Sequence, residues 1–401
     1  MNAKLIVLFI FYIFSTVVHA QKLTDSLKKQ QPAVITMNFG KGIQFNSTDG
    51  LFTLALSGRI QSLSETKYDV DKKTAAVDFL IRRCRLSFQG TAFNPKFTYR
   101  IQFGFSQGDI TASNIAEQNN LILRDAMLYY QASKWLRIGF GQTKLPGNRQ
   151  RQISSSSLQL VERSISNNNF TLDRDKGIWL FSKFNIDKSL FKSTITVSSG
   201  DGRIVSNKNG KPCYTSRLEW LPMGDFANSA DYIEADVEKE FKPKLSVAVV
   251  VSYNQDNNRT LGQLGDYLYN HETSNLFYYG ADAYFKYKGF SAEAEWYNRK
   301  SDKGIITNSS NIAEKNFALS GTGFLIQSGY FVSDKNEIAA RYSSVHPAEK
   351  IKSVTPVSEE YVMGFSHYFK KHSLKIQTDF TYLIVGDTRT IIHRLSGVIT
   401  F

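Results

Sequence analysis

From Leu51 onward, apolar and polar positions alternate in short stretches separated by turn-forming residues. In KFTYRIQFGFS (96–106), Phe97, Tyr99, Ile101, Phe103 and Phe105 take one side, and Thr98, Arg100, Gln102, Gly104 and Ser106 the other, because successive strand side chains point to opposite faces. Leu80, Cys84, Leu86 and Phe88 stand against Arg83, Arg85, Ser87 and Gln89. Leu374, Ile376, Phe380 and Tyr382 stand against Lys375, Gln377, Asp379 and Thr381. No long helical period replaces this pattern. It predicts an all-β chain with strands near 51–61, 78–90, 96–106, 121–132, 135–144, 177–186, 189–199, 213–222, 243–254, 275–288, 290–299, 320–331, 336–343, 358–369, 373–384 and 391–401.

The connections alternate in length. NIDK, KG and KKHS are tight, whereas the joins at 62–77, 145–176, 255–274 and 300–319 are long and polar. Short turns at one end and long loops at the other suit an outer-membrane barrel. A further amphipathic stretch, DYIEADVEKEF (231–241), would reverse the direction of every later strand if it also crossed. Residues 223–242 are therefore read as a long acidic periplasmic connection.

Sixteen strands rolled with their apolar sides inward would need one very wide core or several domains, and no Pro/Gly/Ser linker divides the chain. Rolled the other way, they close a transmembrane antiparallel β-barrel, with every backbone group paired, lipid outside and water inside. The ends agree with this choice. MNAKLIVLFIFYIFSTVVHA has one lysine, an apolar run and small residues at Val18 and Ala20, the pattern of a signal peptide cut after Ala20. Residues 21–50 then form an N-terminal periplasmic segment, with KLTDSLKKQQP a short charged helix or an unstructured lead-in. The barrel spans 51–401, and terminal Phe401 on an alternating strand is expected to engage the barrel-assembly machinery of a Gram-negative cell. No later stretch is apolar and long enough for a membrane helix.

The 29 Phe, 20 Tyr and 4 Trp suit strands and interfacial girdles. Two cysteines, Cys84 and Cys213, are too few for a disulfide scaffold, and whether they pair stays open. With the apolar face outward, the early strands put Arg59, Arg83, Arg85, Arg100 and Arg137 into the lumen, Arg83 and Arg85 about 6.6 Å apart along one strand. Guanidinium forks hold oxyanions and stay charged at physiological pH. Lys144 follows, and the third loop, 145–176, is expected to fold inward with Arg149, Arg151 and Arg163 beside the hydroxyl run Ser154–Ser157. The alternative is that these cations pair with Asp125, Glu293, Glu295 and Asp379 and brace the wall.

RRCRLSFQG (82–90), LRDAMLYYQ (123–131), GQTKLPGNRQRQISSSSLQLVERS (141–164) and RDKGIWL (174–180) resemble the phosphate-selective porin O/P family, as do KPKLSVAVVVSYN (242–254) and FKYKGFSAEAEWYNR (285–299). The resemblance implies a sixteen-stranded barrel, usually trimeric, in which basic residues guide phosphate or polyphosphate through a constricted pore. Arg82, Arg83, Arg85 and Lys144 match recurring basic sites of that family. Pro146, Gly147 and Asn148 depart from its usual Pro-Phe-acid sequence.

Three other functions compete. A general or sugar-passing pore is suggested by lumenal-parity Tyr129, Trp135, Tyr278, Tyr284 and Tyr297. A secreted β-rich binding protein would account for the strands. An enzyme is disfavoured, since His271, His346, His367, His372 and His393 stand at no telling spacing from a nucleophile, and no cluster has metal-ligand spacing. The expectation is thus a passive outer-membrane channel for small anions of the phosphate class, without cofactor, metal or nucleic-acid partner, surrounded by lipid and lipopolysaccharide and assembled as a homotrimer.

Overall fold

The computed structural model describes residues 33–110, 122–203 and 210–401. Sixteen strands form the barrel: β3 (Thr53–Asp69), β4 (Thr74–Ala92), β5 (Asn94–Gly104), β6 (Leu123–Gln131), β7 (Leu136–Lys144), β8 (Arg174–Ile186), β9 (Ser189–Ser198), β10 (Cys213–Leu221), β11 (Lys244–Asn257), β12 (Ser274–Tyr287), β13 (Phe290–Ser301), β16 (Gly321–Phe331), β17 (Asn336–Pro347), β18 (Ser358–Lys370), β19 (Leu374–Val385) and β20 (Thr388–Thr400). A small hairpin, β1 (Val34–Asn38) and β2 (Gly42–Asn46), precedes them, and a loop ribbon, β14 (Ile306–Thr307) with β15 (Lys315–Asn316), lies between β13 and β16. Each barrel strand pairs antiparallel with the next. The last returns to the first, from Thr390 opposite Asp69 to Thr400 opposite Arg59, so the cylinder has no free edge.

The inside-out distribution is clearest in β10. Cys213, Thr215, Arg217, Glu219 and Leu221 are buried, while Tyr214, Leu218 and Trp220 are exposed. A soluble protein hides its large apolar side chains, but here Phe140, Met363 and Phe380 face outward and Arg217, Ser246 and Asp282 inward. In lipid that arrangement removes the apolar surface from water and leaves the polar wall wet or paired. No helix among the described residues is long and apolar enough to cross a membrane. Cys84 and Cys213 are both free thiols.

Several expectations need correction. The join expected at 62–77 is strand: β3 continues to Asp69, the turn occupies 70–73, and β4 resumes at Thr74. Here the outward residues include Ser62 and Ser64, so the hydropathy alternation fades although the ladder persists. Asp69 closes the turn by accepting from the backbone N–H groups of Asp71 and Lys72. A β-bulge explains a second difference. The register moves from Gln61–Arg83 to Ser62–Ile81, so Arg82 is an extra residue and the parity reverses across it. Val77, Phe79 and Ile81 therefore face out, and Leu80, expected on the lipid side, lines a lumenal cavity.

Within 21–50, β1 and β2 are strands, paired onto the start of β3. The helix considered for KLTDSLKKQQP and the cleavage after Ala20 lie outside the described residues. Residues 222–243 add no barrel strand. They contain one 3₁₀ segment, Ala227–Tyr232, and much of the connection is buried.

Candidate pore constriction

The segment between β7 and β8, residues 145–173, leaves the wall and crosses the lumen. Its anchors lie on distant strands. The Arg149 guanidinium donates to Asp282 Oδ1 (2.7 Å), to Ser246 Oγ (2.7 Å) and to the Asp231 carbonyl (3.1 Å). Glu295 accepts from the backbone N–H of Gln150. Asp379 accepts from the N–H of Val161 (2.9 Å) and Glu360 from that of Ile165 (3.0 Å). Lys375 donates to the Leu158 carbonyl (2.6 Å). The six-residue helix Ile165–Phe170 is capped by Ser164, whose side chain accepts from Asn167 N–H.

Absent side chains make room for the segment. A Cβ on Gly329 would come within 2.0 Å of Gln159 Nε2, and one on Gly364 within 2.5 Å of Leu160 Cδ2. The connection 222–243 supports it from the other end of the barrel. Glu234 N–H donates to the Ser157 carbonyl (3.0 Å), and its carboxylate accepts from Gln159 N–H (2.7 Å) and Gln327 Nε2 (3.0 Å).

What remains open is a cavity of about 460 Å³ between this segment and the wall of β4–β10. Twelve basic side chains line it against five acidic ones. Arg82 and Arg83 share Glu162, with Arg83 Nη2 3.1 Å from Glu162 Oε2. Arg85 and Arg124 share Asp109, at 2.7 Å for both Arg85 Nε and Arg124 Nη1. Arg174 pairs with Asp125 (2.8 Å), whose other neighbour, Arg100, stands 4.0 Å away. Arg151 pairs with Asp173. Gly104 permits the Asp109 cluster, since a Cβ there would lie 2.7 Å from Asp109 Cβ and 2.9 Å from Arg124 Cδ.

Of the residues singled out from sequence, Arg83, Arg85, Arg100, Arg137, Lys144, Arg151 and Arg163 line the cavity. Arg137 is exposed and sits over the rings of Tyr129 (4.7 Å) and Phe181 (4.6 Å). Lys144 and Arg163 donate to loop carbonyls. Arg59 donates to Ser155 Oγ (2.9 Å) behind the lining. Arg149 is fully buried away from the cavity and is a peg, not a lining residue. Of the four acids considered as partners of these cations, only Asp125 approaches one of them, Arg100 at 4.0 Å; Asp125 and Asp379 pair with Arg174 and Arg394 instead, and Glu295 holds loop backbone.

Sequence reasoning missed Arg124, which occupies a second bulge between Gln102–Asp125 and Phe103–Leu123 and so faces inward beside Asp125. It also missed Glu162 and Asp109, which lie outside the strands where alternation gives no direction. Arg217 was accessible to it, since β10 alternates without interruption. Of the five aromatic residues of supposed lumenal parity, only Tyr129 lines the cavity. Trp135 is 56 % exposed on a turn, and Tyr278, Tyr284 and Tyr297 are buried at 1 %, the last donating to Ser166 Oγ of the inserted segment.

Electrostatics ties the loop acids to their partners. Burial pushes the Glu162 carboxyl up, but Arg83 and Arg82 outweigh it and hold the group down at about 2. Desolvation likewise opposes ionisation of Asp173, and Arg151 and Arg174 override it, keeping the carboxyl well below its ordinary value. Arg163 moves the other way: burial, then Arg151 and Arg83, lower it.

The sequence pattern of the family described as phosphate-selective porin O and P matches residues 54–388, nearly the whole barrel. The chain belongs to that family. A search of curated proteins finds no match. Among solved structures, the porin is similar to the outer-membrane channel DcaP of Acinetobacter baumannii, at 13 % identity over 90 % of this chain and 100 % of that one, TM-score 0.56. It is also similar to an anion-selective porin from Comamonas acidovorans, at 9 % identity over 87 % and 100 %, TM-score 0.55, and to a loop-deletion form of OmpT of Vibrio cholerae, at 9 % identity over 88 % and 100 %, TM-score 0.55. These likenesses establish the fold. Family and fold together make the protein an outer-membrane porin and point to a channel, not an enzyme.

Proposed function

We propose that this porin passes small anions of the phosphate class by passive diffusion through the cavity beside the inserted segment. The observation that carries the reading is the sharing of single carboxylates by two guanidinium groups, Arg82 and Arg83 on Glu162, Arg85 and Arg124 on Asp109. Each trio keeps one net positive charge while its members are held in place. Two unit charges about 4 Å apart interact by about 4 kcal/mol at an effective dielectric near 20, so such trios offset part of an anion's lost hydration. Arg100 and Arg137, more loosely held, extend the series with weaker stations, as conduction requires both entry and release.

Arg59, Lys144, Arg149 and Arg163 serve this reading indirectly by fixing the loop that narrows the path. Reversal potentials across a planar bilayer under a KCl gradient test it, with anion preference expected; a cation-preferring sign would reject it. Conductance in phosphate against chloride then ranks the solutes.

Assembly as a homotrimer, cleavage near Ala20, contact with lipopolysaccharide and recognition of Phe401 by the barrel-assembly machinery belong to the same proposal. The Phe401 ring covers Gly58, where a Cβ would meet it at 2.6 Å. Deleting Phe401 is expected to lower the yield of heat-modifiable barrel in the outer membrane.

A further inference from the structure

The hairpin β1–β2 has one apolar face, and that face continues the lipid-facing wall. Ile35 pairs across the hairpin with Phe45 and Met37 with Ile43. Phe45 and Ile43 in turn stand opposite Leu54 and Leu56 on β3. Those leucines share parity with Ile60, an outward residue of the barrel, while Arg59 and Gln61 point into the lumen. The six side chains from Ile35 to Leu56 therefore lie on one surface that runs without a break into the membrane-facing side of β3.

Aromatic contacts make the same connection. Phe45 touches Phe52 at 6.4 Å between centroids, and Phe52 stacks on Tyr99 of β5 at 5.9 Å. The opposite hairpin face carries Val34, Thr36, Asn38, Gln44 and Asn46, four of them polar. Ile35 is 64 % and Met37 74 % exposed, although the strands hosting them are held in register from Val34 to Thr53. At the tip stands exposed Lys41, and Lys370 lies 5.4 Å from the ring of Phe39.

We propose that β1–β2 is a membrane-interface ribbon whose Ile35, Met37, Ile43 and Phe45 face packs against phospholipid of the periplasmic leaflet. The hairpin extends the apolar belt below the seam at which β20 closes on β3, where Phe401 and Gly58 exchange backbone hydrogen bonds of 2.9 and 2.7 Å. The occupant is lipid because the surface is continuous with the barrel's lipid-facing side.

The test uses the full chain with Cys84→Ser and Cys213→Ser, carrying Ile35→Cys, Met37→Cys or Thr36→Cys and a bimane label, in vesicles of phosphatidylethanolamine and phosphatidylglycerol. Heat-modifiable migration checks each variant, and Ile35 and Met37 duplicate one another should either fail to fold. Lipid spin-labelled on the acyl chain is expected to quench labels at 35 and 37 several-fold more than at 36, with iodide in the reverse order. Equal quenching at all three positions, or iodide quenching strongest at 35 and 37, would overturn the proposal. Efficient copper-catalysed crosslinking of unlabelled Met37→Cys between two chains would also overturn it, by making this face a contact between copies.

Discussion

The two arcs of the barrel do opposite work. The lumenal side chains of β4–β10 line the cavity, and no strand residue of β11–β20 does so among the described residues. The second arc is instead the attachment surface for the inserted segment, through Ser246, Asp282, Glu295, Glu360, Lys375 and Asp379. Charge follows the division: arginines dominate the open arc, and the filled one mixes carboxylates that accept from the loop with Arg299, Arg341 and Lys375, which donate to its carbonyls. A wide cylinder is thus narrowed off-centre, with the inserted segment fastened on the closed side and the excess cation on the open side.

The largest effect should come from breaking the filled arc. Asp282→Ala leaves Arg149 and Arg217 buried without the carboxylate both use, and loss of one partner of a buried pair costs about 3–5 kcal/mol. The loop should detach, raising single-channel conductance and exposing residues 149–153 to protease; unchanged conductance and protection would refute the anchoring role. Next, Arg83→Glu with Arg85→Glu reverses charge on the open arc. The reversal potential should swing towards cations with the barrel still heat-modifiable, and an unmoved potential would leave those arginines purely structural.

A smaller effect follows from pH. Glu162 is held at about 2, below its ordinary 4.5, so its contribution to holding the loop is complete above about 4.5 and is lost as pH falls towards 2. Protonation also frees Arg82 and Arg83, so anion preference should rise in that window while current noise grows. Glu162→Gln should show the raised preference already at neutral pH and lose the pH response. The smallest change is expected for Arg137→Gln, which removes a cation held by two rings, a contact worth about 0.5–1 kcal/mol at exposed sites. Anion conductance should fall modestly and stability by no more than about 1 kcal/mol, measured as current at fixed voltage and as the temperature of heat modification.

Much of the barrel was legible because the bilayer enforces alternation. Strands such as β10 and β19, which cross it without a bulge, match their expected limits within a residue or two. Ser62 and Ser64 interrupt the apolar row on β3 alone, opposite outward Ile81 and Phe79 of β4, which is why that stretch looked like loop. The bulges at Arg82 and Arg124 change parity by one residue without any compositional mark, and each adds a guanidinium to the constriction. The inserted loop's cations could be named, but not their division into lining (Arg151) and peg (Arg149), since that depends on Asp282 and Ser246, about a hundred residues or more away in sequence. The β1–β2 ribbon was overlooked because five-residue strands give too few positions to establish a period.

Glu234 carries a consequence of its own. It grips Ser157 through its N–H and Gln159 through its carboxylate, so a segment entering from one mouth of the tube clasps one entering from the other. Any tug on the 222–243 strap from the periplasmic side is handed on to Ser157 and Gln159, and through the Asp231 carbonyl to Arg149.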